Sequence, residues 1–179
     1  YQESDNDGNN MLPFFAGVAS APKHSRLARR ANTVIPTAKG APFGPALASR
    51  LRHDVRHRRL PQVSWILAST DNCEHPSATP GAGANFISMV LGALTARRSV
   101  WERTALFLTY DENDGFFDHV PPPTAPASDR DEYIDQASAT HNFNATLGFS
   151  GPVGLGFRVP MLVISPFTRG GMVCSDVLD

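Results

Sequence analysis

Tyr110-Asp111-Glu112-Asn113-Asp114-Gly115-Phe116-Phe117-Asp118-His119-Val120, closed by Pro121-Pro122-Pro123, is the stretch on which the fold of this chain turns. The residues just before it, Thr104-Ala105-Leu106-Phe107-Leu108-Thr109, are apolar and β-rich, and predict a buried strand over 104–110. Four carboxylates, an amide and an imidazole therefore sit just past the C-terminal end of a core strand. In open α/β sheets that is where ligands bind. Crowding like charges costs energy unless a cation or a catalytic task compensates.

Two readings of the stretch stand side by side. Asn113-Asp114-Gly115 is good turn chemistry, and acidic, glycine-containing segments are usually solvated turns. A ligand-binding loop is the alternative. A calcium loop of the EF-hand type is excluded: counted from Asp111, the fifth, sixth and twelfth positions are Gly115, Phe116 and Pro122, and the last must be a glutamate. The set Asp5, Asp7, Asn9 fails in the same way, with Asn10 at the glycine position and Ala16 at the end.

Working outward, residues 82–98 carry Phe86, Met89, Val90, Ala93 and Leu94 at three- and four-residue spacing and predict a helix ending in Arg97 and Arg98, where cations suit the helix dipole. Before it, residues 63–69 predict a buried strand, followed by a polar loop that contains Cys73-Glu74-His75-Pro76. Strand, helix and strand make a βαβ unit with a right-handed crossover. A third strand is predicted within 158–165, ending at Pro166 and the turn Arg169-Gly170-Gly171. In a parallel sheet of these three strands, the loops around His75, Asp111 and Arg169 converge on one edge. Residues 120–157 read as a long polar loop, of the kind that serves as a lid.

Towards the N-terminus, Met11 to Phe15 is a short apolar cluster that starts a helix only against the resistance of Pro13. Residues 21–45 are basic, hold four prolines, and read as irregular. Residues 46–57 predict a helix with Leu47, Leu51 and Val55 on one face. His53 and His57 share its four-residue spacing, but the arginines around them favour an exposed basic surface over a metal site.

A chain of 179 residues holds one domain with a real core, and 41% apolar with 18% charged residues is globular composition. The net charge of −1 disfavours non-specific binding to nucleic acid or an anionic membrane. Ten of the sixteen lysines and arginines nevertheless fall between residues 23 and 59, beside one acid, Asp54. No apolar run approaches the ~20 residues of a membrane span, and no signal peptide is present in the chain, which begins at Tyr1. Cys73 and Cys174 define neither a disulfide framework nor a compartment.

Carboxylate and amide oxygens suit divalent cations, and histidine is the usual acid for a leaving alkoxide. No GxSxG elbow, Walker loop, HExxH or GxGxxG occurs, and Gly148-Phe149-Ser150-Gly151 is one residue short of the first. Metal-assisted ester chemistry is the enzyme class that remains best supported.

The chain resembles the bacterial phospholipase C / acid phosphatase phosphoesterase family, a branch of the alkaline-phosphatase-like superfamily, and within it the actinobacterial phospholipases C. The resemblance is carried by Leu60-Pro61-Gln62-Val63-Ser64-Trp65-Ile66, by Glu74-His75-Pro76, by residues 101–123 and by residues 151–175, with Tyr1-Gln2-Glu3 and Phe14-Phe15 as weaker matches. It implies an α/β fold, three-layer α/β/α with a mostly parallel sheet, and metal-assisted hydrolysis of phosphoric esters by way of a hydroxyl nucleophile. Phospholipids such as phosphatidylcholine, met at a membrane surface, are the implied substrates. Asp111 and Glu112 match the family's acidic pair that holds the divalent metal, His75 the histidine that faces the phosphate, and His119 a further pocket histidine. A secreted or cell-envelope location follows by the same resemblance.

Departures from the family pattern shape the expectation. The family's acidic–amide metal motif and its nucleophile fall upstream of Tyr1 in family order, and family chains continue past Asp179. Cys73 stands where a serine is expected. Residues 1–179 are thus expected to be the central part of one phosphoesterase catalytic domain. A truncated, inactive product and an acid-phosphatase-like phosphomonoesterase are the alternatives.

Overall fold

The computed structural model describes residues 1–5, 8–124, 133–134, 151–152 and 154–178. The chain divides into two compact units, Tyr1–Ala105 with Ser165–Phe167, and Leu106–Ile164 with Thr168–Asp179. Helices belong to the first, and short antiparallel strand pairs to the second. The α/β class holds in this coarse sense.

The core of the first unit is a pair of helices, α3 (Pro45–Arg56) and α4 (Pro80–Leu94), preceded by α1 (Ala16–Ala19) and α2 (Arg26–Asn32). Leu47, Leu51 and Val55 of α3 are buried, as their four-residue spacing predicts, and meet a stripe on α4 that includes Phe86, Val90, Ala93 and Leu94. Fully burying a side chain of this size is worth about 1.5–3 kcal/mol. Proline opens both helices, in the first turn where no N–H bond is lost. Thr79 caps α4 by accepting a hydrogen bond from the Ala82 amide at 3.3 Å.

α4 ends at Leu94, four residues before the predicted end. Thr95 closes it with a bond from its amide to the Leu91 carbonyl at 2.9 Å, and Arg97 turns to an extended conformation, so Arg97 and Arg98 are not in its last turn. Arg98 instead begins a short helix, α5 (Arg98–Trp101). The Arg97 guanidinium donates to the carbonyl of Arg56, 2.6 Å away, and so supplies a cation to the C-terminus of α3 rather than to its own helix. Part of the segment predicted as irregular is also helical. Ser25 caps α2 by accepting from the Ala28 amide at 3.1 Å, and Ala28 and Ala31 are buried. The nearby prolines, Pro22 and Pro36, flank this helix instead of interrupting it.

Residues 63–69 form no strand. They hydrogen-bond to the N-terminal segment, with Leu67 donating to the Tyr1 carbonyl at 3.0 Å and the following Thr70 to that of Asp5 at 3.0 Å. On its other side that segment accepts from Ile35 at Gln2, 2.8 Å. Val63 is 77% exposed, and the β-rich sequence has no ladder partner along its length. Glu3 locks the N-terminal segment in place: its buried carboxylate accepts from the Gly44 amide at 2.7 Å and from the Thr37 hydroxyl at 2.6 Å.

In the second unit β1 (Leu106–Thr109) pairs with β4 (Met161–Ile164), matching Leu106 to Ile164 and Thr109 to Met161. A shorter pair, β2 (Tyr133–Ile134) with β3 (Gly151–Pro152), lies between them in sequence. Both pairs are antiparallel, against the expected parallel pairing. Parallel neighbours require a crossover, usually a helix, and the described part of the connection from Thr109 to Met161 contains none. Most of the predicted loop at 120–157 falls outside the described residues. Among the described residues, no helix is long and apolar enough to cross a membrane.

Candidate active-site loop

The antiparallel register decides what lies beside the acidic stretch. Asp111 follows β1, whose C-terminal end is paired with the start of β4. The segment brought next to it is therefore the one that enters β4, Phe157 to Pro160. The Arg169 turn leaves β4 at the opposite end, so the expected convergence of Arg169 with Asp111 is not realised. Thr109 marks the closure, its hydroxyl donating to the Pro160 carbonyl at 3.3 Å.

Within the stretch, the turn predicted at Asn113-Asp114-Gly115 is present. Asp114 and Gly115 both have positive φ, 57° and 78°, and the Phe116 amide returns to the Asn113 carbonyl at 3.0 Å. Two consecutive left-handed residues are the signature of a mirror-image turn, which asparagine, aspartate and glycine adopt with least strain. The turn reverses the chain, so that Phe117 meets Phe157 edge to face at 5.8 Å and Asp118 meets Arg158.

Asp118 is held from several sides. Arg158 approaches it with two donors, Nε to Oδ2 at 2.5 Å and Nη2 to Oδ1 at 2.9 Å. This is the bidentate fork that arginine offers a carboxylate. Oδ1 also receives the Val120 amide at 3.2 Å and faces Nδ1 of His119 at 3.2 Å. The Arg158 hydrogen bonds hold the Asp118 carboxyl well below the usual carboxylate range. One of the four negative charges in the stretch is thus balanced by an arginine and needs no metal. Sequence spacing gave no sign of this partner, forty residues away.

Asp111 and Glu112 lie together at the head of the loop, exposed, with the Glu112 amide donating to Asp111 Oδ1 at 3.1 Å. Their oxygens are the right donor type for a hard divalent cation. The number of donors falls short: among the described residues no group of three or more His, Cys, Asp or Glu side chains could hold a metal. The pair supplies two ligands towards the four to eight that structural and catalytic cations take.

His119 is in the same loop, its side chain 87% exposed beside Asp118. His75 belongs to the first unit, in the loop between a 3₁₀ turn (Thr70–Asn72) and α4. That loop is held by Asn72, whose side-chain amide reaches the Phe43 carbonyl at 3.2 Å and the Ser69 hydroxyl at 2.8 Å. Glu74 has a φ of +66° and lays its side chain against Gly83 of α4, so closely that a methyl group there would fall 2.4 Å from Glu74 Cγ. His75 is exposed, and its carbonyl accepts from the Ala78 amide at 2.6 Å. Cys73 and Cys174 are both free thiols.

Comparison with known proteins adds the decisive observation. The family described as "Phosphoesterase family" matches residues 2–179. The chain belongs to the phosphoesterase family. This phosphoesterase chain is 46% identical over 176 residues to a non-hemolytic phospholipase C of Burkholderia pseudomallei, covering 97% of the chain and 24% of that relative. It is 39% identical over 178 residues to a hemolytic phospholipase C of Pseudomonas aeruginosa, covering 99% of the chain and 22% of the relative. Phospholipase C A of Mycobacterium tuberculosis is 43% identical over 140 residues, 76% of the chain and 26% of that protein. The phosphoesterase chain spans about a quarter of the length of these curated relatives.

Proposed function

We propose that this chain is the central part of the catalytic domain of a phospholipase C-type phosphoric ester hydrolase. It would cleave the phosphodiester of phospholipids such as phosphatidylcholine to diacylglycerol and a phosphorylated head group. The observation that carries this reading is the 46% identity, over nearly the whole chain, to a protein named as a phospholipase C. In the longer protein the two units become parts of a three-layer α/β/α domain with a mostly parallel sheet, in which β1 and β4 form an antiparallel pair. The membrane surface is met from outside the cell, by a secreted or envelope-associated enzyme.

Asp111 and Glu112 would hold a divalent cation, joined by ligands from the part of the longer protein beyond this span. A bound cation supplies charge stabilisation at the phosphoryl oxygens and activates a hydroxyl. His119 delivers a proton to the oxygen of the leaving diacylglycerol. His75 faces the phosphate. Asp111→Asn in the longer protein tests the assignment, with Asp129→Asn as the comparison. Asp111→Asn is expected to weaken cation binding and phosphatidylcholine turnover by roughly 10–100-fold, and Asp129→Asn to leave both unchanged. Equal and mild effects at the two positions, in metal titration and steady-state rates, would return the stretch to a solvated turn. Release of phosphate from monoesters with no diacylglycerol from phosphatidylcholine would make the enzyme a phosphomonoesterase.

A further inference from the structure

We propose that Arg158 is a positioning residue for His119, acting through Asp118. The three side chains form a chain of contacts in one loop cluster: guanidinium to carboxylate by two hydrogen bonds, at 2.5 and 2.9 Å, and carboxylate to imidazole Nδ1 at 3.2 Å. None of the three is needed to build the strands, since Asp118 and Arg158 both lie outside β1 and β4.

The chemistry follows from what each group can donate. An ionised carboxylate only accepts hydrogen bonds, and Arg158 keeps Asp118 ionised across the whole range in which histidine titrates. Nδ1 of His119 lies 3.2 Å from such an oxygen, an ion-pair approach rather than an aligned hydrogen bond, and meets it favourably only as N–H. The tautomer of a histidine follows the partner of its other nitrogen. Nε2 is then the nitrogen left to exchange a proton with a substrate oxygen, and the side chain is exposed enough to be reached.

Arg158 contributes geometry as well as charge. With a single donor, Asp118 could rotate about its χ2 torsion and present either oxygen, at any angle, to the imidazole. Two parallel bonds from a planar guanidinium fix the carboxylate plane, and the Val120 amide at 3.2 Å fixes Oδ1 further. Phe117 against Phe157 clamps the preceding pair of residues, so the two backbone segments carrying Asp118 and Arg158 are held in step. The arrangement is a carboxylate orienting a histidine, with the carboxylate itself oriented by an arginine.

The role rests on the proposed reading of His119 as the proton donor, and its test is separable from that reading. The chain is labelled with ¹⁵N in its histidine rings, the His119 signals being assigned by their loss in His119→Gln. Long-range ¹H–¹⁵N correlation then reports the tautomer at about pH 8.5, where an ordinary histidine is neutral. The wild type is expected to show mostly the Nδ1–H form, and Arg158→Gln and Asp118→Ala mostly the Nε2–H form that a free imidazole side chain prefers. Arg158→Lys, which keeps the charge and loses the fork, serves if Arg158→Gln does not fold, and is expected to lie between. A residue that merely staples the loop would lower the melting temperature and leave the tautomer in place. An Nε2–H wild type, or Nδ1–H retained in the Arg158 variants, overturns the proposal. In the longer protein, Arg158→Gln is expected to lower kcat by roughly 10-fold or more, a part of the 10²–10⁴-fold that a positioned acid contributes, with KM little changed. Full turnover in His119→Ala would remove the proton-donor reading while leaving the tautomer result standing.

Discussion

Asp118 shows how one side chain changes the meaning of a motif. Beside Asp111, Glu112 and Asp114 it reads as one more like charge in need of compensation; in the fold its charge is met by Arg158. The Arg158 hydrogen bonds are the largest influence on its carboxyl, and the Val120 amide works in the same direction. Because the carboxyl is held below its unfolded-state value, the pair stabilises the loop at pH above the usual carboxylate range of about 4, and that contribution is lost as pH falls towards the depressed value. The side-chain ¹³C resonance of Asp118 is therefore expected to remain that of an ionised carboxylate at about pH 3, where unpaired aspartates are mostly protonated. In Arg158→Gln it should titrate in the ordinary range. An Asp118 resonance that moves with the exposed aspartates in the wild type would mean that the fork does not persist in solution.

At the scale of elements, the contact between Glu74 and α4 is the point where a loop residue constrains a helix. Gly83 lies inside α4, where glycine costs roughly 0.5–1 kcal/mol relative to alanine. Its absent side chain leaves room for Glu74, whose Oε1, Cγ and Cδ would all fall within 2.5 Å of a Cβ at that position. Clashes that involve Cγ are not relieved by swinging the carboxylate aside, and overpacking of this kind costs roughly 1–3 kcal/mol. The clash outweighs the helix gain, so Gly83→Ala is expected to destabilise the chain by a net ~1–2 kcal/mol. In a Glu74→Ala background the same change should stabilise it, by up to ~1 kcal/mol. A double-mutant cycle from chemical denaturation reads this reversal of sign directly. Additive effects would mean that the loop carrying His75 is not seated on α4.

Across the whole molecule, burial is uneven. Every fully enclosed apolar side chain among the described residues belongs to the first unit, and outside β2 none of the described residues of the second is buried. Phe107, Leu162 and Val163 of the β1–β4 pair are exposed, as are Met172, Val173, Val177 and Leu178 beyond it. Two-stranded sheets are marginal without a surface to pack on, and local opening is easiest where few apolar contacts must break. Amide hydrogen exchange of the chain is accordingly expected to be slowest in α3 and α4 and at least about tenfold faster in β1 and β4, a difference of ~1.4 kcal/mol or more in opening free energy. Equal protection in both regions would show that the strand pair is supported by contacts outside the described residues.

Periodicity and local chemistry determined a good deal on their own. The stripe Leu47, Leu51, Val55 specified α3, the apolar spacing in residues 86–94 specified the body of α4, and Asn113-Asp114-Gly115 specified the turn. Each depends on residues a few positions apart, whose interactions survive in any fold. The assignments of Asp111, Glu112, His75 and His119 rest instead on the family resemblance, and their roles are proposals. Tertiary structure decided everything that joins distant segments. Residues 63–69 have the composition of a strand, yet a strand also needs a neighbour to complete its ladder, and only a few bonds to the N-terminal segment are made. The direction of β4 relative to β1 is likewise written in neither strand. Once it is antiparallel, Arg158 rather than Arg169 comes to the acidic loop, and a carboxylate whose charge local sequence leaves uncompensated is bound by a guanidinium. Pairing forty residues apart is a matter of which surfaces the packed chain brings together, and that is settled by the fold as a whole.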